Sequence, residues 1–140
     1  MDYNRTFAII KPDAFENKNV GEIIFSITQA GFDIVAMRLT KLSMEETVRF
    51  YKEHEGKFFY DRLINYISSG PIIAMILEKE NAIDDFRKLI GSTDPSEAAE
   101  GTIRQRFGVN VPKNSIHGSD SPENAEDEWS FFFSERDILY

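Results

Sequence analysis

A chain of 140 residues, 41% apolar and 29% charged, has the size and balance of a soluble globular protein with one core. Having no cysteine, it can form no disulfide, thiolate metal site or cysteine nucleophile, which suits a reducing, cytoplasmic setting. A formal net charge of −8 argues against a broad nucleic-acid surface, yet a few cations converging in one cleft can still hold a small phosphate ligand.

The apolar run Pro71 to Leu77 is far too short to cross a bilayer. The N-terminus lacks the basic-then-apolar pattern of a leader, since Asp2, Arg5, Lys11 and Asp13 interrupt it. No membrane partner is expected. With no repeat, low-complexity tract or linker, residues 1–140 read as a single domain.

In chain order, Arg5 to Ile10 is a β-branched and aromatic run that predicts a strand, ended by Lys11-Pro12-Asp13. Val20, Ile23, Ile24, Ile27 and Ala30 follow helical spacing, with Gly31 at the C-terminal end. Phe32 to Leu42 alternates as a strand, with Phe32, Ile34 and Ala36 on one side. Ser43 and Glu46 form a capping-box pattern, so a helix starts there and runs towards Glu53. A further helix covers about Asp61 to Ser68, stopped by Gly70-Pro71, and Pro71 to Leu77 reads as a strand buried on both faces.

Asn81 is placed to cap a helix carrying Ile83, Phe86 and Ile90, with Gly91 past its end. A short strand is expected around Phe107 to Ile116. Ser121-Pro122 starts the last helix, whose apolar face is Ala125, Trp129, Phe132 and Phe133. The order predicts an α+β sandwich on a mainly antiparallel sheet, with the split βαβ arrangement as template.

No GxxxxGK[ST] occurs, and no GxGxxG follows a strand, so phosphate chemistry here needs another device. The segment Asn114 to Ser121 packs His117 among small polar residues just before a capped helix. Such a histidine is a nucleophile, a general base or a hydrogen-bonded structural residue. Gly118 removes bulk beside it, Ser119 and Ser121 supply hydroxyls, and the helix start offers N–H groups to an anion. Glu128 shares a helix face with Ser121 and Ala125, where it either orients the imidazole or belongs to a solvated acidic run. In Gly101-Thr102-Ile103-Arg104, Arg104 is either a phosphate ligand or a surface charge. Of the aromatics between Tyr51 and Tyr60, at most one is expected off the core, as a stacking platform for a base.

Together these segments resemble the nucleoside diphosphate kinase family along nearly the whole chain. The matching pieces are Arg5 to Asp13, Val20 to Ile23, Phe50 to Phe59 and Ser69-Gly70-Pro71. They continue with Arg87 to Gly91, Thr93-Asp94-Pro95, Gly101 to Arg104, and Asn114 to Ser121, the active-site signature. The resemblance implies a ferredoxin-like βαββαβ core with additional helices. It implies that His117 takes the γ-phosphate of a nucleoside triphosphate and passes it to a diphosphate by a ping-pong route. Nδ1 would be the attacking atom and the other ring nitrogen would be held by backbone, with Glu128 and Ser119 orienting the site.

By the same resemblance Lys11 and Arg104 stabilise the transferring phosphoryl, and Tyr51 lies beside the nucleophile. Arg87 and Thr93 hold inner phosphates, His54 reaches the α-phosphate, and Asn114 with Lys11 binds the sugar. Phe59 stacks on the base, with Val111 on its other face. Mg2+ would ride on the nucleotide phosphates and water, with Asp120 the nearby carboxylate. A homo-oligomer is implied, a tetramer or hexamer built from dimers. Glu100, Arg106 and Pro112 depart from the commonest family pattern, and none carries an assigned role. Two alternatives stand beside the enzyme. One is a non-catalytic nucleotide-binding regulatory module on the same fold; the other is an RNA-binding ferredoxin-like domain, against which the net charge weighs.

Overall fold

The computed structural model describes residues 3–139. Four strands, β1 (Arg5–Ile10), β2 (Asp33–Thr40), β3 (Ile72–Glu78) and β4 (Ile116–Gly118), form one sheet in the order β2-β3-β1-β4. Every neighbouring pair is antiparallel. Among the described residues, seven α-helices accompany them: α1 (Pro12–Glu16), α2 (Val20–Gln29), α3 (Met44–Phe50), α4 (Tyr60–Ile67), α5 (Ala82–Ile90), α6 (Ile103–Phe107) and α7 (Pro122–Phe132). The α+β, ferredoxin-like expectation holds.

β1 is central and all six of its residues are buried, because helices cover both faces of the sheet. Its alternate side chains feed two cores. Phe7 and Ile9 meet α3, α4 and α7 through Phe50, Tyr60, Ile64, Ala125 and Phe132. Ala8 and Ile10 meet α1, α2, α5 and α6 through Ala14, Ile23, Phe86 and Ile103.

Local chemistry explains most boundaries. Ser43 accepts the Glu46 N–H at 3.1 Å while Glu46 accepts the Ser43 N–H at 2.9 Å, the reciprocal cap expected of this pattern. α3 stops at Phe50 and tightens into a 3-10 turn at Lys52–His54, short of the single helix expected. α5 ends at Gly91, whose φ of +89° suits glycine. A Cβ there would sit 2.7 Å from the Thr102 Cβ.

Four expectations need correction. The alternation along β2 is broken by an irregularity between Ile34 and Ala36, so Val35 and Ala36 both enter the α7-side core while Phe32 lies in the other. Asn81 does not cap α5 with its side chain; it takes φ +56° and its amide donates to Asp85 Oδ1 at 3.3 Å. The short strand lies at Ile116–Gly118, and the preceding stretch is the end of α6 followed by irregular chain. Between Tyr51 and Tyr60, two rings leave the core: Phe58 is fully exposed and Phe59 half-buried.

No helix among the described residues is long and apolar enough to cross a membrane.

Candidate active site

β4 carries the candidate nucleophile on an alternation that its neighbours impose. Ile116 and Gly118 are buried towards α5, so His117 between them emerges on the α7 side, opposite Ile9 of β1. Gly118 is required by that close approach: a Cβ there would lie 2.9 Å from Phe86 Cδ2 and 3.0 Å from Ile90 Cδ1. The glycine therefore closes the back of the strand; it does not clear space beside the imidazole. The ring edge of His117 meets Phe7 at 6.2 Å between centroids.

His117 Nε2 lies 2.7 Å from Glu128 Oε1 on α7. The same oxygen accepts the Ser119 hydroxyl at 2.7 Å, and Ser119 is fully buried, its N–H donating to Phe7 O at 3.1 Å. A carboxylate only accepts, so Nε2 carries the proton of the neutral ring and Nδ1 keeps the lone pair. The second nitrogen is thus held by a carboxylate and not by backbone, which corrects the expectation from the resemblance. Glu128 is not a solvated member of its acidic run.

Twelve of the thirteen residues singled out from sequence line one cleft of about 780 Å³; Ser119 lies behind its wall. Lys11, Tyr51, Arg104, Asn114 and His117 are among them, with Arg87, Thr93, Asp120 and Glu128. His54, Phe59 and Val111 are the others.

The cations are unusual in their partners. Lys11 is 7% exposed and its Nζ donates to Asn114 Oδ1 at 2.7 Å; the Asn114 amide in turn donates to Thr93 O at 2.9 Å. Arg104 is equally buried, giving Nη1 to Gly91 O at 2.9 Å and Nη2 to Ile116 O at 2.8 Å. Arg104 Nε is buried with no hydrogen-bond partner among the described residues. Among those residues neither cation forms a side-chain ion pair. Their hydrogen-bond partners are carbonyl dipoles, so neither positive charge is neutralised by a direct ion pair.

Burial, and after it the Arg104 charge, lowers Lys11 to about 7, against an upward pull from Asp13. Burial and then Arg87 bring Arg104 down to about 10. Burial and then Glu128 hold the Tyr51 phenol well above its ordinary range, so it stays protonated at neutral pH. Such a group of destabilised cations is what a multiply charged anion would relieve.

Helix α7 offers less to an anion than its sequence suggests. Pro122 has no N–H, and those of Asn124 and Ala125 go to Ser121 Oγ and Ser121 O. Elsewhere in the lining, Phe59 packs edge-on to Phe58 at 5.4 Å, and His54 Nδ1 accepts from Lys57 Nζ at 2.9 Å. Lys57, whose ammonium also sits 5.8 Å from the centre of the Phe59 ring, lines the cleft, as do Arg62 and Phe58. Sequence reasoning passed over these three. The signal for Lys57 was its spacing three residues after His54 and its place before Phe58-Phe59.

A profile described as nucleoside diphosphate kinase matches residues 4–138. The nucleoside diphosphate kinase of Flavobacterium psychrophilum is 50% identical over 137 residues, covering 98% of this chain and 99% of its own. That of Methanocaldococcus jannaschii is 51% identical over 135 residues and 96% of each chain. Among solved structures, the Aquifex aeolicus nucleoside diphosphate kinase superposes with a TM-score of 0.95 at 42% identity, over 97% of this chain and 99% of that one. The Halobacterium salinarum enzyme, solved in complex with CDP, gives 0.92 at 36% identity, over 97% of this chain and 91% of that one. Fold, sequence and the descriptions of its relatives agree, and the chain belongs to the nucleoside diphosphate kinase family of nucleotide-dependent phosphotransferases.

Proposed function

We propose that the enzyme moves the γ-phosphoryl group of a nucleoside triphosphate to a nucleoside diphosphate through a covalent phosphate on His117. The observation that carries this reading is the meeting, in one cleft, of a histidine with a fixed tautomer and two buried cations without ion pairs.

In the first half-reaction the Nδ1 lone pair of His117 attacks the γ-phosphorus. The bond from phosphorus to the bridging oxygen breaks, and the departing diphosphate keeps that electron pair. The ring becomes cationic at Nδ1 while retaining its Nε2 proton, and the Glu128 carboxylate stabilises it through the existing hydrogen bond. In the second half-reaction a β-phosphate oxygen of the acceptor attacks phosphorus and the phosphorus–nitrogen bond breaks. No net proton moves. Little covalent work falls to the protein beyond the histidine, so charge neutralisation and in-line positioning dominate.

Lys11 and Arg104 neutralise charge on the transferring group, Arg87 and Thr93 hold the inner phosphates, and His54 reaches towards the α-phosphate. Tyr51 stands beside the nucleophile as a neutral hydroxyl donor. Asn114, already joined to Lys11, serves the sugar hydroxyls. Phe59 and Val111 face the base, a grip on π-surface that accepts purines and pyrimidines alike.

Among the described residues no three carboxylate or imidazole groups gather as a metal cage. Of the carboxylates lining the cleft, Glu128 is engaged by His117 and Ser119, and Asp120 suits a hydrated Mg2+ carried by the nucleotide, a mode common for this ion. When bound, Mg2+ would supply further charge neutralisation of the phosphates, and Asp120 would be the residue to hold it, through water.

We read residues 1–140 as one catalytic domain acting in the cytoplasm, without nucleic acid, as a homo-oligomer of dimers in tetrameric or hexameric form. Support for assembly is an open sheet edge: β2 is an outer strand, and Met37 and Leu39 on it are exposed, as is Phe25 on α2.

Incubation with γ-labelled ATP and Mg2+, followed by a GDP or CDP chase, tests the mechanism. The expected label is acid-labile, absent from His117→Ala, and chased into GTP or CTP. An unlabelled wild type without exchange would instead make the site a non-catalytic nucleotide binder.

A further inference from the structure

Behind the cleft lies a second buried cluster that the proposed reaction does not use. Asp13 on α1 is 1% exposed, and each of its oxygens is taken by a hydroxyl. The Tyr66 phenol on α4 donates to Oδ1, and Ser115 Oγ donates to Oδ2 at 3.3 Å. The Asp13 N–H donates to the Tyr66 oxygen at 2.5 Å, so phenol and α1 are joined twice. Ser115 is fully buried and adopts φ +76°, a conformation a non-glycine residue keeps only when its surroundings hold it. The Lys11 N–H donates to Ser115 O at 2.9 Å, and Asn114, next to Ser115, accepts from Lys11 Nζ at 2.7 Å. Two segments distant in sequence therefore close on the Lys11-Asp13 stretch: Asn114-Ser115 on both residues, and α4 through Tyr66 on Asp13.

Asp13 makes no ion pair with Lys11, although they are two residues apart. Both carboxylate oxygens are engaged elsewhere, so the carboxylate acts on the ammonium through space and leaves its hydrogen-bonding directions to Asn114 and the cleft. We propose that Asp13, gripped by Tyr66 and Ser115, is a positioning residue that supplies the buried counter-charge keeping Lys11 a cation at the phosphate end of the cleft. This rests on the reading of Lys11 as a phosphate ligand.

The balance around Lys11 explains why a counter-charge is needed. Burial and the Arg104 charge both disfavour the ammonium, and Asp13 is the group that opposes them. Arg87, His117, Tyr51, Asp120 and Glu128 line the same cleft. A direct Asp13–Lys11 pair would also preserve the charge, but it would compete with phosphate for the ammonium. Tyr66 and Ser115 prevent that competition by occupying the carboxylate.

The test is titration of the Lys11 13Cε resonance in the full chain, assigned with Lys11→Arg, alongside pH profiles of nucleotide exchange. Asp13→Asn keeps the size of the group and removes its charge. Its Lys11 midpoint is expected about one pH unit below wild type. The loss in kcat/KM should grow as pH rises, reaching about tenfold on the alkaline limb. A folded Asp13→Asn with an unmoved midpoint and a pH-independent loss would overturn the proposal. Should that variant fail to fold, Tyr66→Phe decides. It is expected to displace the midpoint and lower kcat with KM within about twofold of wild type; a wild-type midpoint with wild-type kcat would refute it. The midpoint is read without turnover. An inactive wild type would defeat the reading of the site, whereas an active one with Lys11 indifferent to Asp13 defeats this inference alone.

Discussion

Glu128 Oε1 receives both His117 Nε2 and the Ser119 hydroxyl, each at 2.7 Å, so one carboxylate oxygen on α7 sets the tautomer of a ring on β4. The consequence is testable by replacing charge without shape. In Glu128→Gln the amide oxygen can still accept, but the cationic ring formed on phosphorylation loses its counter-charge. We expect kcat to fall on the order of 100-fold, with KM for nucleotide nearly unchanged. Stopped-flow formation of phosphohistidine separates this step from binding; a fall in KM-controlled binding alone would contradict the assignment.

Lys11 predicts a proton coupling to binding. With its ammonium destabilised to about 7, a fraction of the free enzyme at pH 7 to 8 holds a neutral amine. A bound triphosphate favours the charged form, so binding should take up a proton in that range, and the uptake should fade as pH falls through 6. Calorimetry in two buffers of different ionisation enthalpy measures it. No buffer dependence at pH 7.5 would contradict it.

The same residue has a stability signature. Its folded pKa lies below its unfolded value, so the unfolded chain binds more protons between about 7 and 10.5. Its contribution to stability therefore rises with pH across that window, and the cost of burying the charge is fully present below it. Lys11→Met should stabilise the ligand-free protein at pH 6 more than at pH 9. Urea denaturation at the two pH values reads the difference.

Gly118→Ala probes the back of β4. The added methyl would meet Phe86 and Ile90, both essentially fully buried, within about 3.0 Å. We expect a destabilisation of roughly 1–3 kcal/mol and a larger proportional loss of exchange, since relief requires moving the strand that carries His117. Thermal denaturation and turnover measured together check this.

The two neighbouring rings that line the cleft, Phe58 and Phe59, should separate cleanly. Phe59→Ala removes a half-buried ring wall and should weaken every nucleotide, purines most, by about 1–3 kcal/mol. Phe58, 99% exposed, also lines the cleft but packs edge-on to Phe59, so Phe58→Ala should weaken binding less. Equal losses in equilibrium titrations with ADP and CDP would place the base against both rings.

Much of this protein was legible in the chain itself. The all-apolar run of β3, the capping box at Ser43 and the helical spacing from Val20 to Ala30 are local signals, because period, cap and turn chemistry act over a few residues. The family motifs likewise named thirteen site residues without coordinates, and their order around His117 came from the resemblance. What local signals could not reach was set by packing. The break in β2 at Val35 depends on which core each side chain enters, and Gly118 is a glycine because α5 approaches from behind. Helices α1 and α6, five residues each, are too short to announce themselves by periodicity.

Electrostatics divided in the same way. A net charge of −8 and three scattered cations were visible in sequence. That Lys11 and Arg104 are buried against carbonyl oxygens, with Asp13 held off by Tyr66 and Ser115, arises only when the chain closes on itself, across 12 residues for Arg104 and Ile116 and across more than 50 for the contacts of Lys11 and Asp13. A residue's type determines the charge it can carry; its burial and neighbours, which only the tertiary structure supplies, decide what that charge costs and what will bind it.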